Sequence, residues 1–113
     1  MTAAPAYIVA ARRTALGRIG GLHRNRRIDS LTAPVIEAVL ADAGIAPDQV
    51  DELMLGNATE GSNPARLVAL AAGLPETMPA LTLDRQCASG LDAIVAAVRA
   101  VATGGADIVV AGG

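Results

Sequence analysis

The stretch Leu83-Asp84-Arg85-Gln86-Cys87-Ala88-Ser89-Gly90-Leu91 carries the only cysteine of the chain, between an apolar run ending at Asp84 and an alanine-rich helical pattern beginning near Ala88. This puts one thiol at a helix N-terminus, where the first backbone N–H groups lack an internal partner and the aligned peptide dipoles sum to about +0.5 charge. That field favours the thiolate, which is the nucleophilic form. A lone cysteine is otherwise most often a small buried hydrophobe, but this position makes Cys87 the candidate nucleophile. Arg85 lies two residues upstream. The small residues Ala88, Ser89 and Gly90 leave room beside the sulfur for a substrate and for backbone donors aimed at a developing oxyanion. A phosphatase loop of the form Cys-x5-Arg would need arginine where Ala93 stands. One cysteine forms no internal disulfide, and a single histidine gives no metal-ligand cluster. No metal site is expected.

The elements that must position this thiol follow from the apolar pattern. Ala6 to Ala11 is a short apolar run of the kind buried on both faces of a parallel sheet, and reads as the first strand. Asp29 or Ser30 can cap a helix with Leu31, Val35, Ala38 and Val39 at helical spacing, ending at Gly44. Pro34 falls inside it and should either loosen the first turn or restart the helix with Thr32 as its cap. Val50 to Gly56 reads as a second strand. The adjacent Asp51 and Glu52 at its start point to opposite faces of an extended chain, so they read as a solvated strand start rather than an acid pair. Asn63-Pro64 is a helix start, with a capping side chain followed by proline at the first helical position. Gly73 and Pro75 end that helix after about Ala72. Met78 to Asp84 is a third strand. The helix from about Cys87 to Thr103 carries Leu91, Ile94, Val95, Val98 and Val101 on one face and alanines on the other, and is expected to be buried nearly all round. Gly104 and Gly105 stop it before a fourth strand, Ala106 to Ala111.

The order βαβαβαβ, with apolar runs that do not alternate, argues an α/β fold: a three-layer α/β/α arrangement around a mostly parallel sheet with right-handed crossovers. Sites in such sheets lie beyond the carboxyl ends of the strands, which is where Cys87 falls. Residues 12–27 form a basic loop with six of the nine arginines, His23 and three glycines, but without a G-x-G-x-x-G phosphate fingerprint. The loop reads as solvated, and His23 receives no catalytic role because nothing pairs it with Cys87.

Composition narrows the function. The 113 residues make at most one domain, and 52% hydrophobic against 18% charged residues describe a chain that folds. A net charge of −2 gives no electrostatic case for a nucleic-acid partner. No apolar run reaches the roughly 18 residues needed to cross a bilayer, and the N-terminus lacks the pattern of a signal peptide. No membrane partner is expected, and the location reads as cytoplasmic.

The string Arg85-Gln86-Cys87-Ala88-Ser89-Gly90-Leu91 resembles the nucleophile motif of the thiolases, the acetyl-CoA acetyltransferases and 3-ketoacyl-CoA thiolases. Ala10-Ala11-Arg12-Arg13-Thr14, Asn63-Pro64-Ala65-Arg66, Ala72-Gly73-Leu74-Pro75 and Ala106-Asp107-Ile108-Val109-Val110-Ala111-Gly112-Gly113 extend the similarity in matching order. The resemblance implies that residues 1–113 are an incomplete N-terminal part of a thiolase N-terminal domain, within a duplicated protein much longer than this chain. It implies acyl transfer through a Cys87 thioester, with coenzyme A as substrate or product and no tightly bound cofactor. It further implies a homodimer or homotetramer, paired through the edge strand Met78–Asp84. The family's activating histidine, substrate-orienting asparagine and second cysteine match no residue here, and the cofactor-binding residues stay unassigned.

The resembled sheet has the strand order three-two-four-five-one, with its fifth strand supplied from beyond Gly113. The first strand is then expected to lack its hydrogen-bonding neighbour, and the chain alone to be inactive. Two alternatives stand beside the thiolase reading: a decarboxylating condensing enzyme of the ketoacyl-synthase type, whose cysteine has different neighbours, and a non-catalytic module kept for dimerisation or binding.

Overall fold

The structure, a computed structural model, describes residues 3–113. In chain order it has α1 (Ile28–Ala43), β1 (Glu52–Gly56), α2 (Pro64–Ala71), β2 (Ala80–Leu83), α3 (Ser89–Ala102) and β3 (Val109–Gly112), with one 3-10 turn at Pro47–Gln49 before β1. The sheet order is β2-β1-β3, and both pairings are parallel. These strands are the predicted third, second and fourth, so the parallel α/β reading holds, including the place of Ala80–Leu83 at an edge.

Central β1 shows why a non-alternating apolar run was the right signal. Leu53 and Leu55 face one core with Ile36, Leu40, Val68 and Ala69, while Met54 faces the other with Ala93 and Ala97. Helices α1 and α2 thus cover one face of the sheet and α3 the other, giving the three layers. No helix among the described residues is long and apolar enough to cross a membrane.

The first predicted strand does not form. Tyr7 and Ile8 are each 79% exposed, and Ala6 to Ala11 pairs with no strand. Apolar composition suits a strand to burial but supplies no neighbour, and β3 ends the sheet on that side. The helical caps also differ from expectation. Helix α1 starts after Arg27, so Asp29 and Ser30 lie in its first turn, and it runs through Pro34 without restarting at Thr32. Proline removes one intrahelical bond there, but Ala33, Ile36 and Leu40 are buried on either side of it, and that packing outweighs the loss. Gly44, at φ +66°, closes the helix as expected, with the Ile45 N–H reaching the Leu40 carbonyl.

Asn63 precedes α2 but makes no cap bond to it. Its amide donates to the Ala80 carbonyl and its oxygen accepts from the Thr82 hydroxyl, while the Thr82 oxygen accepts the Ala65 N–H at 3.0 Å. The cap of α2 therefore comes from the neighbouring strand β2. Thr82→Val, which keeps the shape and loses the hydroxyl, is expected to cost about 1–2 kcal/mol in denaturant unfolding, the loss of a cap plus an unpaired polar group.

Asp51 ties the two strand starts together. Its carboxylate accepts the N–H groups of Ile108 and Asp107 at 2.9 and 2.8 Å. Those two bonds, Ile108's first, hold the Asp51 carboxyl below its ordinary value. A lowered folded pKa contributes stability above the unfolded pKa and loses it as pH falls through the folded one. Melting of the parent against Asp51→Ala at several pH values should therefore show a gap that is full near neutral pH and closes below about pH 3.9, the usual aspartate value.

Candidate active site

The site is a strand-turn-helix connection at the carboxyl end of β2. After Leu83 the chain leaves the sheet, and the Asp84 carboxylate accepts the Gln86 N–H at 2.8 Å, folding the backbone on itself. Gln86 takes φ +51°, in the left-handed region that a non-glycine residue seldom enters. Cys87 follows it, exposed and with a free thiol. Helix α3 then begins at Ser89, with Ala88 as its cap residue. Cys87 therefore sits just outside the helix rather than in its first turn, a correction of two residues. The reason is local, since the N–H groups of Ala88 and Ser89 are used in the turn, on the Arg85 and Gln86 carbonyls.

Three contacts fix the turn. Ser89, 5% exposed, accepts the Arg85 N–H at 2.8 Å and donates to the Gln86 carbonyl at 2.6 Å. Arg85 Nε lies 3.1 Å from Asp92 Oδ2, so the arginine upstream of the cysteine pairs with the first turn of α3. At 70% side-chain exposure this pair adds little stability. The third contact is backbone on backbone: a Cβ built on Gly56 would stand 2.3 Å from the Ser89 carbonyl carbon, and one on Gly113 2.7 Å from the Gly56 oxygen. The strand ends thus approach the start of α3 as closely as backbone allows, which seats Cys87 at the sheet's carboxyl edge.

Helix α3 is not buried all round. Ala93 and Ala97 face the sheet, whereas Leu91, Ile94 and Val98 are 68, 37 and 44% exposed. The small residues win the inner face because they permit close approach to the sheet, and the large apolar residues form an open surface on the outer face of α3. His23 stands in the basic loop, bonded through Nε2 to the Ala15 carbonyl at 2.7 Å, with its Nδ1 buried and unpartnered. Within the same loop Arg12 pairs with Asp42, and Arg27 with Asp29. A cleft of about 410 Å³ between the start of α1 and the loop before α2 is lined by residues such as Arg27, Glu60 and Asn63, and takes no residue from the cysteine turn.

The sequence pattern places Cys87 at the strand-to-helix junction, as the structure does, but marks Ser89 only as a small residue making room and Asp84 and Gly56 only as element ends. A hydroxyl two positions after the cysteine and a carboxylate three before it were the available signals.

Comparison with known proteins adds to this geometry. The family model described as "Thiolase, N-terminal domain" matches residues 6–113. An acetyl-CoA acetyltransferase of Cupriavidus necator is 47% identical over 109 residues, which is 94% of this chain and 28% of that protein. A probable acetyl-CoA acyltransferase of Staphylococcus aureus is 42% identical over the same shares. The crystal structure of the Bacillus anthracis acetyl-CoA acetyltransferase superposes with a TM-score of 0.95 at 37% identity, covering 99% of this chain and 29% of that one. The chain thus spans 28% of the length of these curated relatives.

Proposed function

Since this chain belongs to the thiolase family, we propose that it is the nucleophile-bearing part of an acyl-CoA acyltransferase, an incomplete N-terminal segment of the thiolase N-terminal domain. The observation that carries this reading is the exposed Cys87 on its fixed turn beyond the strand ends, inside the family's motif. Relatives of this chain bear the names acetyl-CoA acetyltransferase and acyltransferase, and coenzyme A thioesters are accordingly the substrates proposed.

In the cleavage direction, Cys87 Sγ attacks the 3-keto carbonyl of a 3-ketoacyl-CoA. The carbonyl oxygen becomes an oxyanion, to which the Cys87 N–H donates. When the carbonyl re-forms, the bond between C2 and C3 breaks, and acetyl-CoA leaves as an enolate that takes up a proton. The acyl group stays on sulfur as a thioester, and the thiolate of free coenzyme A then attacks it to give the shortened acyl-CoA. Condensation runs these steps in reverse. Covalent catalysis divides one difficult transfer into two easier ones. The groups that move protons at Cys87 and at the enolate match no residue of this chain, and we place them outside it. The same reading makes the open Leu91, Ile94 and Val98 surface a face to be covered by that further part, and the β2 edge the pairing site of a homodimer or homotetramer in the cytoplasm.

Assay of the natural gene product with acetoacetyl-CoA and coenzyme A tests the activity. Thiolysis to acetyl-CoA is expected. Inertness toward acetoacetyl-CoA, combined with release of carbon dioxide from a malonyl thioester, would move the chain to the decarboxylating condensing enzymes.

A further inference from the structure

The turn before the cysteine holds an unused piece of chemistry. Ser89 has a nearly buried polar side chain, and both of its hydroxyl bonds are spent on the two residues ahead of Cys87. The Gln86 carbonyl that it grips belongs to the same planar peptide unit as the Cys87 N–H, and in a trans peptide the two point in opposite directions. Anchoring that carbonyl inward, on Ser89 Oγ at 2.6 Å and Ser89 N at 3.1 Å, turns the Cys87 N–H away from Ser89. The positive φ of Gln86 makes this orientation one that the backbone would otherwise leave.

We propose that Ser89 is the positioning residue that aims the Cys87 backbone N–H at the acyl carbonyl oxygen, acting through the Gln86–Cys87 peptide and not by touching the substrate. This rests on the acyl-transfer reading of Cys87. An oxyanion donor works only if it is held in place before charge develops, and losing one such donor lowers kcat by roughly 10²- to 10³-fold. Ser89 controls a donor's direction rather than its presence, so its removal is worth less.

The test uses the natural gene product with Ser89→Ala and Ser89→Thr. Ser89→Ala is expected to lower kcat for acyl transfer by about 10- to 100-fold, the scale of a small misplacement, with KM for the acyl-CoA unchanged. Ser89→Thr, which keeps the hydroxyl, should retain most of kcat. Amide exchange at Arg85, whose N–H loses its acceptor in Ser89→Ala, should quicken by about tenfold. An unchanged kcat in Ser89→Ala, a loss confined to KM, a folded Ser89→Thr as slow as Ser89→Ala, or a Ser89→Ala chain that no longer folds would each overturn the positioning role. A parent protein that is never acylated would instead overturn the acyl-transfer reading beneath it, and the Arg85 exchange would still report whether Ser89 holds the turn.

Discussion

Replacing Cys87 by alanine is expected to lower acyl transfer by the natural gene product on the order of 10⁴-fold or more, the scale seen when a covalent nucleophile is removed. Stability should be left almost untouched, because Cys87 is exposed and the turn is held by its neighbours Asp84 and Ser89. A steady-state assay paired with thermal melting separates the two effects. A residual rate within about tenfold of the parent would remove Cys87 from the chemistry, since a covalent route cannot lose its nucleophile at so small a cost.

The second large effect is expected from Gly56→Ala. Most added methyl groups find a side chain that can move, but here the new Cβ would meet the Ser89 carbonyl carbon at 2.3 Å, its oxygen at 2.4 Å and the Gly90 nitrogen at 2.7 Å, all backbone. The start of α3 must shift away from the sheet, carrying the cysteine turn with it. Overpacking of a close contact costs about 1–3 kcal/mol, and an unyielding backbone contact belongs at the upper end. In a domain of this size that corresponds to a fall of roughly 10–20 °C in melting temperature. Acyl transfer should fall as well, because displacing the proposed nucleophile by about 1 Å can cost on the order of 100-fold. Gly112→Ala is the internal control: it lies at the end of the adjoining strand, and nothing stands within 4 Å of its added Cβ. Equal losses in the two variants would refute the close-approach explanation.

These two positions also show what was legible in the chain. The place of Cys87 could be read because it falls between an apolar run and a helical pattern. Gly56 could not, because its importance lies in a contact with a backbone more than thirty residues away. The same division holds for α3. Periodicity correctly gave a helix, but the shortage of polar residues on either face suggests burial nearly all round, whereas close packing on the sheet selects Ala93 and Ala97 and leaves Leu91, Ile94 and Val98 outward. The run from Ala6 to Ala11 has the composition of a buried strand, yet a strand needs a hydrogen-bonding neighbour, and composition does not reveal whether one is present. Asn63 followed the capping rule by type, but the cap is supplied by Thr82 on strand β2. The helices and core strands were readable; contacts between distant segments were not.

The most direct test of the central claim is to mix the natural gene product with acetyl-CoA, quench it in acid, digest it and weigh the peptide that contains Cys87. The account predicts one acetyl group on that peptide, bound as a thioester that free coenzyme A removes when added before the quench. An unmodified Cys87 peptide from a protein that nonetheless turns over acetyl-CoA, or an acetyl group on another residue that coenzyme A discharges, would contradict it.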